Sequence, residues 1–111
     1  MTDLGKHLLL EVYDGTFEQL NDHEFMKNIF QKGILKSKSK ILNCYVHQFD
    51  PQGCTVLFAL AESHVSVHTW PEKGCVAFDI FTCGAKNPRC VAFWELEYFD
   101  SDDYVMNDYA R

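Results

Sequence analysis

A chain of 111 residues has room for one domain with a modest core, not for two. Its net charge of −6 argues against a nucleic-acid partner, because neutralising phosphates needs a basic surface. The 47% hydrophobic and 14% aromatic content excludes a disordered chain, no apolar run reaches the roughly eighteen residues of a membrane helix, and no charged-then-apolar leader opens the sequence.

Residues 7–13, His-Leu-Leu-Leu-Glu-Val-Tyr, read as a buried strand ended by Asp14-Gly15. A helix is expected from Asn21, which can cap it, with Glu24 three residues on and Phe25, Ile29 and Phe30 as its apolar stripe. Gly33 is placed to close that helix in a left-handed cap. Lys32, Lys36, Lys38 and Lys40 then read as a solvated loop. A second strand is expected over Lys40–Phe49, a turn at Asp50-Pro51-Gln52-Gly53, and a third strand over Cys54–Ala61. After the region described next, Asn87-Pro88 opens a helix over 88–99, with Val91, Trp94, Leu96, Tyr98 and Phe99 as its apolar face. Ser101-Asp102-Asp103 breaks it, and Tyr104–Tyr109 forms a short last strand. Strand, helix, several hairpin-linked strands, helix and strand together predict an α+β fold: a two-layer sandwich of an antiparallel β-sheet with two helices packed on one face.

Residues 62–84 carry the most chemistry. Ser63, Val65 and Val67 alternate with His64, Ser66 and His68, so the two sets face opposite sides of a strand. Trp70-Pro71-Glu72-Lys73-Gly74 reads as a turn, and Cys75–Cys83 as a second strand. Five cysteines, at 44, 54, 75, 83 and 90, form no Cys-x-x-Cys pair; neither a disulfide framework nor structural zinc is expected, and the reducing cytoplasm fits best. Cys44, Cys54, Cys75 and Cys90 read as small packing residues. Asp79, inside an apolar strand, is expected to be paired or at an interface between copies. His64, His68 and Cys83 match no standard zinc spacing, so no metal is expected.

Glu62-Ser63-His64, His68-Thr69-Trp70-Pro71-Glu72 and Asp79-Ile80-Phe81-Thr82-Cys83-Gly84 occur in this order and spacing, after an opening Leu4-Gly5-Lys6-His7-Leu8. Together they resemble the signature of the small prokaryotic pyruvoyl-dependent S-adenosylmethionine decarboxylases, from the start of the chain to Gly84 and loosely beyond. Taken singly, each of these residues is ordinary; their joint occurrence in family order carries the reading.

The resemblance implies a proenzyme that cleaves itself between Glu62 and Ser63 into chains 1–62 and 63–111. The Ser63 hydroxyl attacks the Glu62 carbonyl and forms an ester; loss of the Ser63 α-proton then expels the Glu62 carboxylate. The dehydroalanine left behind tautomerises and hydrolyses to a pyruvoyl group, the covalent cofactor. It forms a Schiff base with the substrate amine and accepts the electrons that carbon dioxide leaves behind, a sink no side chain offers. By the same resemblance His68 serves the processing, and Thr55 helps hold the oxyanion. Many relatives have Ser at that position; Thr keeps the donor, but its methyl and stiffer χ1 would slow cleavage. Cys83 is the proton donor in turnover, since thiols are mostly protonated at neutral pH. Glu72 binds the ribose hydroxyls, Phe49 stacks on adenine, and His7 lines the pocket. The implied product is the aminopropyl donor for spermidine synthesis, the partner S-adenosylmethionine, and the assembly a homodimer. Alternatives are a pyruvoyl decarboxylase of ornithine or arginine, and an uncleaved, non-catalytic homologue that regulates an active partner.

Overall fold

In a computed structural model, which describes residues 4–83 and 87–111, the chain forms one six-stranded sheet under a layer of helices. The elements are β1 (Gly5–Val12), α1 (Phe17–Leu20), α2 (His23–Lys36), β2 (Ile41–Gln48), β3 (Cys54–Leu60), β4 (Ser63–Trp70), β5 (Cys75–Cys83), α3 (Arg89–Phe99) and β6 (Tyr104–Ala110). The strand order is β2-β3-β4-β5-β1-β6, and every neighbouring pair is antiparallel. Gly84, the last residue of the third sequence block, lies outside the described residues.

Strict alternation in the sequence sorts the two sheet faces. Leu8, Leu10 and Val12 of β1, Val56 and Phe58 of β3, Val65 and Val67 of β4, and Val76, Phe78 and Ile80 of β5 are buried under the helices. From α2, Met26, Ile29, Phe30 and Ile34 recur at helical spacing and close the core, with Phe30 edge-on to Phe78 at 4.9 Å between ring centroids. Among the described residues the other face has no covering layer. It exposes Leu9, Tyr45, Leu57, Trp70, Val105 and Tyr109, each 40% or more accessible, and between them stand His7, His64, Ser66, His68 and Asp79.

The expected two-layer α+β sandwich is present, with a third, four-residue helix, α1, that the sequence reading did not include. Asp22 rather than Asn21 caps α2, accepting from the Phe25 amide. The Asn21 side chain instead accepts from the Gly53 amide and from Gln48 Nε2, tying the helix entrance to the β2–β3 loop. Gly33 does not end α2 but sits buried inside it. There a Cβ would collide with the Glu95 carboxylate and lie 2.6 Å from Trp94 Cδ1, so glycine is needed for α2 and α3 to approach. Lys32 and Lys36 accordingly belong to the helix, with Lys36 Nζ 4.8 Å above the Trp94 ring, and not to a loop. The Trp70–Gly74 turn is one turn of 3₁₀ helix, Pro71–Lys73, closed by left-handed Gly74. Asn87-Pro88 opens α3 as expected, the Asn87 side chain accepting from the Arg89 amide. Its buried face is Val91, Ala92 and Glu95, whereas Tyr98 is exposed and touches Phe25. Of the five cysteines, only Cys54 is fully buried; Cys90 is exposed and the others are half-buried.

Candidate active site

The first group of site residues gathers where β3 turns into β4. Leu60 pairs with Ser63, so only Ala61 and Glu62 make the turn. Glu62 adopts φ +63°, a left-handed conformation that costs a residue with a side chain roughly 1–2 kcal/mol. That strain lies against the Glu62–Ser63 peptide bond. Across from it β5 ends at Cys83, whose thiol donates to the Glu62 carbonyl oxygen at 2.5 Å. The carbonyl carbon that Ser63 would attack is thus already polarised by a donor.

Beside this group, β1, β4 and β5 converge on Asp79. His7 Nε2 lies 2.6 Å from Asp79 Oδ2, His64 Nε2 lies 3.4 Å from the same oxygen, and the Ser66 hydroxyl donates to Oδ1. Burial pushes the Asp79 carboxyl up. The Ser66 and His7 hydrogen bonds and the two nearby imidazoles together outweigh it and hold the group below the usual carboxylate range. Asp79 is therefore paired within its own chain, as one of the two sequence expectations had it. His7 and His64 flank the Phe81 ring, at 5.9 and 5.7 Å between centroids. Among the described residues, the ligand atoms of His7, His64 and Asp79, all within 4.8 Å of one another, form the group with the geometry to hold a metal ion. It is a different group from the His64, His68 and Cys83 weighed in the sequence.

The second group lies at the opposite end of β4. Thr55 and His68 are cross-strand partners, and Thr55 Oγ1 is 3.0 Å from His68 Nδ1. Phe49, Thr55, His68, Trp70 and Glu72 line one hollow of about 290 Å³, just under the ~300–1,000 Å³ typical of pockets that enclose a small organic ligand. His47 packs edge-on to Phe49 at 4.6 Å between centroids. A further hollow of about 230 Å³, lined by Glu11, Ser66, His68, Asp79 and Asn107 among others, lies on the open face between the two groups.

One chain does not bring the two groups together. Ser63 and His68 are five residues apart on one strand, about 16 Å at 3.3 Å per residue, and too far for proton transfer. Ser63, Cys83 and His7 stand at one end; His68, Thr55, Glu72 and Phe49 stand at the other. The sequence reading named these residues but gave no site role to Ser66, which donates to Asp79, or to Arg111, whose Nη1 lies 3.5 Å from His7 Nδ1. Ser66 was within reach of it, because the alternation already put that hydroxyl beside His64 and His68.

Residues 6–111 match the sequence model of a family described as S-adenosylmethionine decarboxylase. A protein named S-adenosylmethionine decarboxylase proenzyme from Moorella thermoacetica is 40% identical, the alignment covering 100% of this chain and 90% of that one. One of the same name from Syntrophomonas wolfei is 37% identical, over 100% and 89%. Another, from Prochlorococcus marinus, is 47% identical over 81 residues, 73% of this chain and 65% of the relative, so there the chain matches just under two thirds of the relative's length. The crystal structure of the adenosylmethionine decarboxylase of Aquifex aeolicus VF5 superposes with a TM-score of 0.92 over 100% of this chain and 92% of that one, at 23% identity, a likeness of fold.

Proposed function

The chain belongs to the S-adenosylmethionine decarboxylase family, and from that premise we propose that it cleaves itself between Glu62 and Ser63 and then decarboxylates S-adenosylmethionine. The product is the aminopropyl donor for spermidine synthesis, and the compartment is the reducing cytoplasm, in keeping with five free cysteines. The observation that carries the reading is the Cys83 thiol seated on the carbonyl of a left-handed Glu62, directly before Ser63. A nucleophile, a neighbouring acyl group and a donor on its oxygen are what an N-to-O acyl shift needs.

The pyruvoyl group that results would supply the carbonyl that captures the substrate amine and draws electrons from the breaking carbon–carbon bond. The chain's own residues do the rest. Cys83, at the end of β5, returns a proton to the α-carbon. Glu72 and Phe49 offer a carboxylate and an aromatic face to the ribose and adenine. His68, held by Thr55, serves as the base in processing, with the Thr55 hydroxyl as an oxyanion donor.

These roles need both groups in one site, and the working unit that supplies them is a two-fold dimer. Two copies pack open face to open face, with the axis lying between the sheets and crossing the strands. That operation sets the His68–Thr55–Glu72–Phe49 end of one copy over the Ser63–Cys83 end of the other. It also covers the exposed Leu9, Leu57 and Trp70, a face that a one-layered sheet leaves wet. The test is complementation. Ser63→Ala and His68→Ala chains, each inactive alone, are co-expressed and assayed for carbon dioxide release from S-adenosylmethionine, with ornithine and arginine in parallel. The pair regains up to about a quarter of wild-type activity, since half the dimers are mixed and each holds one intact site. No recovery in isolated mixed dimers would place each site within one chain.

A further inference from the structure

We propose that Arg111 is the binding residue for the α-carboxylate of the substrate, a site that rests on the decarboxylase reading and adds a group to it. Arg111 follows β6 and is fixed by its backbone: its amide donates to the Gly5 carbonyl at 2.9 Å, and its own carbonyl accepts from Leu4 and Gly5. Gly5 in turn is the cross-strand partner of Cys83. Cys83, Gly5 and Arg111 thus form one row across β5, β1 and the end of β6, and Gly5 puts no side chain between the other two. The guanidinium reaches back over the open face, its Cζ 5.3 Å from the centroid of Phe81 and Nη1 3.5 Å from His7 Nδ1.

Several features make this a carboxylate site. Among the described residues no carboxylate lies in salt-bridge reach of Arg111, while Arg89, the other arginine, is paired with Asp108. Lys6 alternates to the helix side of β1, so it does not compete on the open face. Asp79 is engaged with His7 Nε2, and Arg111 makes only the long 3.5 Å approach to His7 Nδ1, so its planar fork can turn to take two oxygens at once. The substrate fixes the rest. Its amine must meet residue 63, its carboxylate shares a carbon with that amine, and Cys83 must reach the same carbon. The carboxylate then falls in the row that Arg111 overlooks, until it departs as carbon dioxide. The carboxylate released on Glu62 by self-cleavage is a rival occupant of the same chemistry.

The experiment compares two ligands that differ by that one group. In Arg111→Gln, which keeps the backbone hydrogen bonds, self-cleavage is first followed by intact mass to show that the site is made. The KM for S-adenosylmethionine then rises about 10- to 100-fold, the loss of a charged, two-pronged hydrogen bond. The inhibition constant of the decarboxylated product, which has no carboxylate, stays within about two-fold, and Arg111→Lys falls between the two on KM. An equal rise for both ligands would overturn the proposal, as it would follow from disturbing the site or from losing the Glu62 carboxylate. No change in either would overturn it as well. A wild-type chain that never cleaves would instead sink the decarboxylase reading, which the mass spectrum reports separately.

Discussion

Glu95 offers a prediction whose size follows from its surroundings. It lies on α3 against Gly33 of α2, fully buried, and neither carboxyl oxygen has a hydrogen-bond partner among the described residues. Burial alone raises its pKa from an ordinary 4.5 to about 9. A carboxyl whose folded pKa is raised adds no ionisation penalty below its unfolded value. Above that value the unfolded chain sheds the proton and the folded chain keeps it, so stability falls by about 1.4 kcal/mol per pH unit until the folded pKa is reached. At pH 7, some 2.5 units above 4.5, the penalty is roughly 3 kcal/mol, a large share of the stability of a domain this size. Glu95→Gln keeps the shape and cannot ionise. In a Ser63→Ala background, which holds the chain in one piece, urea unfolding at one protein concentration should show the two proteins alike near pH 4.5. By pH 7 the Gln variant should lead by roughly 3 kcal/mol, with the gap still widening at pH 8. Parallel pH profiles would refute the reasoning and mean that water or a shifted side chain satisfies the carboxylate.

Ser63→Ala should stop both self-cleavage and decarboxylation, seen as one uncleaved chain by mass and no carbon dioxide release. Cys83→Ala should still cleave, at a reduced rate because the Glu62 carbonyl loses its thiol donor, and should lose most turnover; full activity would remove Cys83 as the proton donor. Thr55→Ser should speed self-cleavage by freeing χ1 while keeping the hydroxyl on His68. Thr55→Val, which lacks that hydroxyl, should slow it by about 10²-fold or more; equal rates in the two variants would show that Thr55 has no part in the oxyanion site.

Much of the fold was legible because the sheet is simple. The central strands β3, β4 and β5 follow period-two alternation against a single core, so Val65 and Val67 could be assigned inward and His64, Ser66 and His68 outward from the sequence. The helix ends were less legible, and for tertiary reasons. Gly33 carries the signature of a helix stop, yet its missing side chain answers to α3, which arrives some sixty residues later. Asn21 has the chemistry of a cap, but its side chain goes to the Gly53 amide, and Asp22, one residue on, takes the role. Glu95 gave no warning at all, since one acidic residue in an amphipathic helix is ordinarily solvated.

The residues of the candidate site could be read as a set but not as an arrangement. Motif order identified Ser63, His68 and Cys83 together, and strand arithmetic alone places Ser63 about 16 Å from His68. The separation could have been worked out from the alternation that put the two on opposite faces. What no one-chain reading supplies is the second copy that would reunite them. Arg111 escaped because it sits far from the motifs in sequence and meets Cys83 only through the β5-β1-β6 pairing.

Whether this chain makes its own cofactor is read from the intact mass of the purified protein under denaturing conditions. Two fragments are expected, 1–62 and 63–111, the second with a keto-bearing N-terminus in place of serine. A single chain of 111 residues that persists after long incubation would contradict it.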